Sequence, residues 1–260
     1  MRHLRNLVVE AWLPVVLVVG WWLVSASSTS LFFPPLSRIL TRFRQLWFFE
    51  RIPTDVAPSL RNYVVGLLIG AALGIAVGAV LGFVPWLWRA LRPLFELLRA
   101  TPVIALFPLA IILLGTGDGE KVTLIGFACF WPVLLATVDG VRGVDPAKLD
   151  VSHSFRLGRA MTLWRVVLPA AAPQVAGGIR TATSVGLVTM LGSELYAADR
   201  GIGYFVLQSQ REFSIVDMWA GLLLLGMLGY LVNLLVGIAE HRLLSWHRSM
   251  REFESRRLHA

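Results

Sequence analysis

Apolar stretches, each close to the length of a membrane-spanning helix, recur along almost the whole of this sequence. A helix needs about 20 mostly apolar residues to cross the hydrocarbon core of a bilayer. Such stretches occupy residues 8–26, 63–87, 102–115, 122–141, 175–197 and 216–238. The pattern predicts an all-α fold, a polytopic integral membrane helical bundle with about six transmembrane helices.

The composition of the chain supports membrane residence. Hydrophobic residues make up 56% and charged residues 15%, which is far from the balance of a soluble domain. The net charge of +8 is scattered between the apolar stretches, so it fits lipid headgroups and cytoplasmic loops and argues against nucleic acid as a partner. No repeat divides the chain, and residues 1–260 are predicted to form one transmembrane domain.

The positions of the arginines predict the orientation of the chain. Short segments rich in Lys and Arg stay on the cytoplasmic side, and residues 2–5, 89–99, 142–165 and 242–257 are such segments. Both termini are therefore expected in the cytoplasm. The outer connection, residues 27–62, also carries arginines, and its apolar residues share one helical face: Leu36, Ile39, Leu40, Phe43, Leu46 and Trp47. Two alternatives remain for it, an amphipathic helix at the outer membrane interface and a soluble surface helix.

Residues 142–173, here called the polar loop, form a basic, helix-forming segment between two apolar stretches. The orientation places the loop in the cytoplasm, where a soluble partner could dock. Its second half repeats apolar residues at three- and four-residue spacing, which predicts an amphipathic helix stopped by Pro169: Leu157, Met161, Trp164 and Leu168. An ordinary solvated loop is the alternative.

A glycine occurs at every fourth position through the second apolar stretch, at Gly66, Gly70, Gly74, Gly78 and Gly82. This spacing puts a smooth stripe on one helix face, where another helix can approach closely. The stripe predicts tight helix packing. It leaves open whether the partner is a helix of the same chain, a second subunit or a pore.

Glu194 is the acidic residue that lies well within the fifth apolar stretch. A carboxylate at membrane depth is costly and faces either a cavity or a partner group, so Glu194 contributes to a translocation path or to helix packing. The histidines have no metal-binding spacing, and no nucleophile and base pair stands out, so we predict neither a metal site nor a catalytic site. No Gly-rich phosphate loop is present, so ATP binding by this chain is not expected.

With Asp150 near its start, Gly158 after it and Leu168–Pro169 at its end, the polar loop resembles that of the permease subunits of binding-protein-dependent ABC importers, specifically the nitrate, taurine and aliphatic sulfonate group. That family's loop reads approximately Glu-Ala-Ala, four residues including Gly, then a helical stretch ending in Leu-Pro. Asp150 falls on the Glu position, and Arg156 falls on the usual Gly, which makes the turn between two short helices. We expect Gly158 to move that turn. Further resemblance covers roughly residues 59–248.

The resemblance implies a permease subunit of an ATP-driven importer in the bacterial cytoplasmic membrane. Two copies would form the pore, cytoplasmic ATPase subunits would bind ATP and Mg, and a periplasmic or lipid-anchored binding protein would deliver a small solute such as a sulfonate, nitrate or taurine. The chain itself would be no enzyme and bind no cofactor. ATPase docking is assigned by resemblance to Lys148, Asp150, Val151, Ser152, His153, Arg156, Gly158, Leu168 and Pro169.

Two other classes of protein remain as alternatives to an ABC importer permease. A secondary transporter would show paired broken spans and intramembrane charges for ion coupling, and neither pattern is evident. A membrane-embedded enzyme would cluster His, Asp or Glu at membrane depth, whereas Glu194 stands without such company. Copurification of an ATPase distinguishes the importer from both.

Overall fold

The computed structural model describes residues 2–47 and 51–243, and every regular element in these ranges is helical. The predicted basic tail beyond residue 243 lies outside them. Short π- or 3-10-helical turns at Ile52–Val56, Val103–Leu106 and Leu163–Val167 lead into α3, α5 and α9. The helices are α1 (Arg2–Ala26), α2 (Leu36–Gln45), α3 (Ala57–Phe83), α4 (Pro85–Ala100), α5 (Phe107–Leu114), α6 (Asp118–Arg142), α7 (Pro146–Ser154), α8 (Arg159–Thr162), α9 (Leu168–Ala197), α10 (Ile202–Arg211) and α11 (Ile215–Leu243).

The second and third apolar stretches differ in detail from the prediction. The second ends early, because Pro85 begins α4 and holds Val84 extended at φ −118°, ψ 88°. The third lies in a bent pair of segments, Pro85–Ala100 and Val103–Leu114, which meet at 84°. Pro102 follows the extended residue Thr101 at this bend and prevents one continuous helix.

Three segments within the described ranges have the length and hydropathy of a membrane span: Ile52–Phe83, Asp118–Arg142 and Ile215–Arg242. The bent pair makes a fourth if it crosses as one unit. The other two predicted spans lie in α1 and α9. The all-helical, multi-span class is confirmed, and the count of six spans stays a prediction.

One compact unit comprises Met1–Pro58 and Asp199–Gly226. Leu36 and Ile39 of α2 are buried, and so are Leu46 and Trp47 just after the helix, whereas Leu40 is 42% exposed. The apolar face of α2 therefore packs largely against the protein. The position of α2 at the outer membrane interface stays a prediction.

Ion pairs and backbone contacts hold this unit together. The Arg42 guanidinium binds both carboxylate oxygens of Asp217, at 2.6 and 3.0 Å. The buried carboxylate of Asp55 accepts a hydrogen bond from the backbone N–H of Gly201, at 3.1 Å, and pairs with Arg51, at 3.3 Å. Gly201 has a φ of 122°, a conformation that L side chains rarely adopt.

The second compact unit comprises Ser59–Ala198 and Met227–Ala260. Its core lies among α3, α6 and α9, where Tyr63, Ile125, Cys129, Ala182 and Met190 are buried together. The Tyr63 hydroxyl donates to the Thr183 carbonyl at 3.0 Å, and the Cys129 thiol donates to the Ala182 carbonyl at 3.3 Å. Both bonds satisfy polar groups inside an apolar core, so they tie α3 and α6 to α9 without leaving an unpaired donor.

Candidate functional site

The polar loop begins with a capped helix. Asp145 precedes α7 and its carboxylate accepts a hydrogen bond from the backbone N–H of Ala147, at 2.9 Å, while Pro146 occupies the first helical position. Both features favour a helix start, because the cap satisfies a free N–H and proline needs none there. The sequence pair Asp145–Pro146 could have identified this start, which our sequence interpretation missed.

Asp150, which matches the Glu position of the family's loop, is not a helix cap. It lies in the second turn of α7, and its carboxylate is exposed. Within the part of the chain that the structure describes, no backbone N–H donates to this carboxylate. The free N–H groups of α7 lie a turn earlier, where the Ala147 N–H donates to Asp145.

The turn after α7 stays at Arg156, so the expectation that Gly158 would move it is wrong. Arg156 has a φ of 51°, in the left-handed region that glycine favours. Its N–H donates to the His153 carbonyl at 2.8 Å, and the Leu157 N–H donates to the Ser152 carbonyl at 3.0 Å. These two bonds form a Schellman motif that closes the helix end. Gly158 has a φ of −66° and precedes α8 instead.

The second half of the polar loop is not a helix stopped by Pro169. The π-helical turn Leu163–Val167 runs from α8 directly into α9, and Pro169 lies in the first turn of α9. Proline suits this position because its fixed φ of about −65° already matches a helix. The predicted apolar face is also largely uncovered, with Met161 43% and Trp164 69% exposed.

The polar loop has a buried side and an exposed side. Leu149 and Leu163 pack against a cluster at the end of α6 and the start of α9 that includes Val141, Val167 and Ala171. Ser152 is buried, and its hydroxyl donates to the Leu149 carbonyl at 2.7 Å. The exposed side carries several predicted docking residues and one that the sequence interpretation did not select, Phe155: Lys148, Asp150, Val151, His153, Phe155 and Arg156.

The glycine stripe of α3 lies against α6. A Cβ added at Gly66, Gly78 or Gly82 would lie 2.7 Å from a side-chain carbon of α6, closer than real Cβ atoms approach. At Gly70 it would meet the carbonyl oxygen of Gly126, and at Gly74 it would lie 2.9 Å from the Phe130 carbonyl oxygen. All five glycines thus allow backbone contact between two helices of the same chain.

Glu194 lies near the end of α9 and is 1% exposed. Its carboxylate accepts a hydrogen bond from the Ser59 hydroxyl at the start of α3. Ser59 is also buried, so the bond joins the ends of two packed helices and satisfies the carboxylate away from water. In this conformation Glu194 makes a helix-packing contact, which favours that alternative over a place in a translocation path.

A polar group at the start of α6 was also missed. Asn62 donates to the Asp118 carboxylate at 3.0 Å, and Arg61 lies 3.7 Å from the same group. Glu120 and Lys121, the next charged residues, are buried at 2% and 3% exposure. The helix dipole stabilises carboxylates in the first turn of a helix, so Asp118 and Glu120 are ordinary residues at this position. The sequence DGEK gives no signal that Glu120 and Lys121 are buried. No group of acidic, His or Cys side chains in the described ranges could hold a metal ion.

Comparison with known proteins identifies the family. Residues 59–245 match the family described as the binding-protein-dependent transport system inner membrane component. The chain belongs to this family. It is a multi-pass inner-membrane permease subunit of an ABC importer, not an enzyme, and it works with a separate ATPase and a substrate-binding protein.

Individual relatives agree with the family. The taurine transport system permease protein TauC of Escherichia coli K12 is 34% identical over 240 residues, which cover 89% of this chain and 87% of TauC. A putative aliphatic sulfonates transport permease protein, SsuC of Bacillus subtilis 168, is 28% identical, with 91% and 87% covered. The inward-facing MetNI methionine ABC transporter shares the fold, with a TM-score of 0.65, 17% identity, and 72% of this chain and 94% of that chain covered.

Proposed function

We propose that this permease imports a small solute with an anionic group, either a sulfonate such as taurine, or nitrate. The proposal is supported by the likeness to permeases named for taurine and aliphatic sulfonates. Specificity would reside largely in the binding protein. Titration of that protein with taurine, an alkanesulfonate, nitrate and a pyrimidine is the direct test. Binding of the pyrimidine alone would contradict the proposal.

In this proposal the pore forms from two identical copies with both termini in the cytoplasm, and each polar loop docks on an ATPase that alone binds ATP and Mg. Exposed apolar residues in and just after α7 are the observation that supports ATPase docking. Val151 is 56% and Phe155 76% exposed, although both are apolar and lie in a predicted cytoplasmic loop. Exposed apolar residues rimmed by charge are typical of protein interaction sites.

The caps of α7 explain how such a surface transmits force. Asp145 fixes one end of the helix, the turn at Arg156 fixes the other, and Leu149 packs on the ends of α6 and α9. Movement of a docked ATPase would therefore move α6 and α9 rather than bend the loop. For the translocation path to reach the Glu194 carboxylate, the hydrogen bond from the Ser59 hydroxyl would have to break.

Phe155→Asp tests the docking surface. The variant places a charge at the centre of the proposed apolar contact, so we expect copurification with the cognate ATPase, and hydrolysis stimulated by the binding protein, to fall at least tenfold. Membrane insertion and yield should be unchanged, because the side chain is 76% exposed.

Phe32→Asp is the matched control. Phe32 is 66% exposed and lies in the predicted outer connection, so its substitution should leave ATPase association intact. Full ATPase association and hydrolysis in Phe155→Asp would show that the polar loop is only a solvated connection.

A further inference from the structure

A groove of about 400 Å³ runs along the surface of the second unit between α9 and the last part of α11. Its long wall is apolar, formed by Tyr230, Leu234 and Ile238, and one end is basic, formed by Arg180, His241 and Arg242. An apolar channel that ends in cations matches the two parts of a phospholipid, an acyl chain and a charged headgroup.

The basic end has an excess of positive charge. Arg180 lies 3.8 Å from the carboxylate of Glu240, yet its side chain is 56% exposed and can still reach an anion. Arg242, which also lines this end of the groove, is exposed.

The apolar wall has the spacing and exposure that an acyl chain needs. Tyr230, Leu234 and Ile238 recur every fourth residue on one face of α11, a strip about 12 Å long. They are 73%, 45% and 44% exposed. A Cβ added at Gly237 would meet no atom within 4 Å, so the groove stays open beside this wall.

We propose that this groove binds one anionic phospholipid of the inner leaflet. The phosphate lies between Arg180 and Arg242, and one acyl chain follows the wall from Ile238 to Tyr230. Guanidinium groups suit this ligand because their planar N–H donors pair with phosphate oxygens, and the predicted orientation puts them at the cytoplasmic interface, where anionic lipids concentrate. A second copy of the chain suits the groove less well, because a two-fold contact there would bring the same arginines together.

The test uses the full-length permease, purified in neutral detergent and titrated with palmitoyl-oleoyl phosphatidylglycerol or phosphatidylcholine, with bound lipid counted by native mass spectrometry. We expect phosphatidylglycerol to bind at least tenfold more tightly. Arg180→Gln with Arg242→Gln should remove that preference, at about fivefold per arginine. Gly237→Phe should fill the groove and weaken binding of both lipids, while Arg89→Gln, an exposed arginine of α4, should change nothing.

The outcomes separate the alternative occupants. Equal affinity for the two lipids, or equal loss in Arg89→Gln, would overturn the proposal by showing a diffuse surface effect. Displacement of phosphatidylglycerol by inorganic phosphate at equal concentration would indicate a free-anion site instead. Disulfide-linked dimers of Gly237→Cys would show that a second copy covers the groove. If the double arginine variant fails to fold, Gly237→Phe and the single Arg242→Gln decide the question.

Discussion

The left-handed conformation of Arg156 has an energetic cost that its surroundings offset. A non-glycine residue in this region costs about 1 kcal/mol or more, because its Cβ crowds the following carbonyl. Two hydrogen bonds of the Schellman motif and the packing of Leu149 and Leu163 hold the turn in place. The geometry of the loop therefore survives where the glycine typical of the family is absent.

Arg156→Gly should relieve this strain and stabilise the end of α7. We expect the Leu157 amide, which donates to the Ser152 carbonyl, to exchange its hydrogen about fivefold more slowly, the equivalent of about 1 kcal/mol. Hydrogen–deuterium exchange of peptides covering the polar loop measures this change. Arg159→Gly is the control, because it replaces the first residue of α8 with the poorer helix former glycine and should speed hydrogen exchange in α8. Equal or faster exchange in Arg156→Gly would contradict the strain argument.

At the scale of elements, the second unit depends on contact between α3 and α6 along the glycine stripe. Helices in lipid gain no hydrophobic driving force from association, so they rely on close packing and on internal hydrogen bonds. The stripe supplies the packing, and the bonds of Tyr63 and Cys129 to carbonyls of α9 supply the second term.

Gly74→Leu should therefore disrupt the fold of the second unit. The new Cβ would lie 2.9 Å from both the Phe130 carbonyl oxygen and the Val133 Cβ, and a branched side chain has no space beyond them. Overpacking of this kind costs about 1–3 kcal/mol or more. Monodisperse yield after detergent extraction should fall well below that of Leu73→Ala, whose side chain is 54% exposed. A normal yield of Gly74→Leu would mean that α3 and α6 separate readily.

At the scale of the whole molecule, orientation follows from the arginines rather than from any contact. The polar loop and the α5–α6 connection belong to the same compact unit, and the basic residues predict that they lie on opposite sides of the membrane. Both segments have exposed positions, at Arg159 and at Thr116.

Cysteines at these two positions test the orientation. A membrane-impermeant maleimide added to intact spheroplasts should label Thr116→Cys and not Arg159→Cys, and inside-out vesicles should give the reverse. The native Cys129 is 0% exposed, so it should contribute no background. Labelling of both positions from one side would refute the predicted topology.

The pattern of the chain was sufficient for its class, its family and the position of the polar loop. The length of a run of apolar residues and the motifs around the polar loop are both properties of consecutive residues, so both can be recognised without coordinates. The stripe at Gly66–Gly82 likewise predicted tight packing, because four-residue spacing already defines a helix face.

Only the tertiary structure decided which groups meet. The glycine stripe contacts α6, and Ser59 bonds to Glu194, so both contacts join residues far apart in the chain. The burial of Glu120 likewise depends on the folded chain. No local pattern specifies any of the three. Tertiary contacts also overrode local expectation at Arg156. Anchoring by Leu149 and Leu163 keeps the turn at Arg156 despite its cost, and the π-helical turn carries α8 past the proline into α9. At Arg156 the free energy of packing exceeds the conformational preference of a single residue.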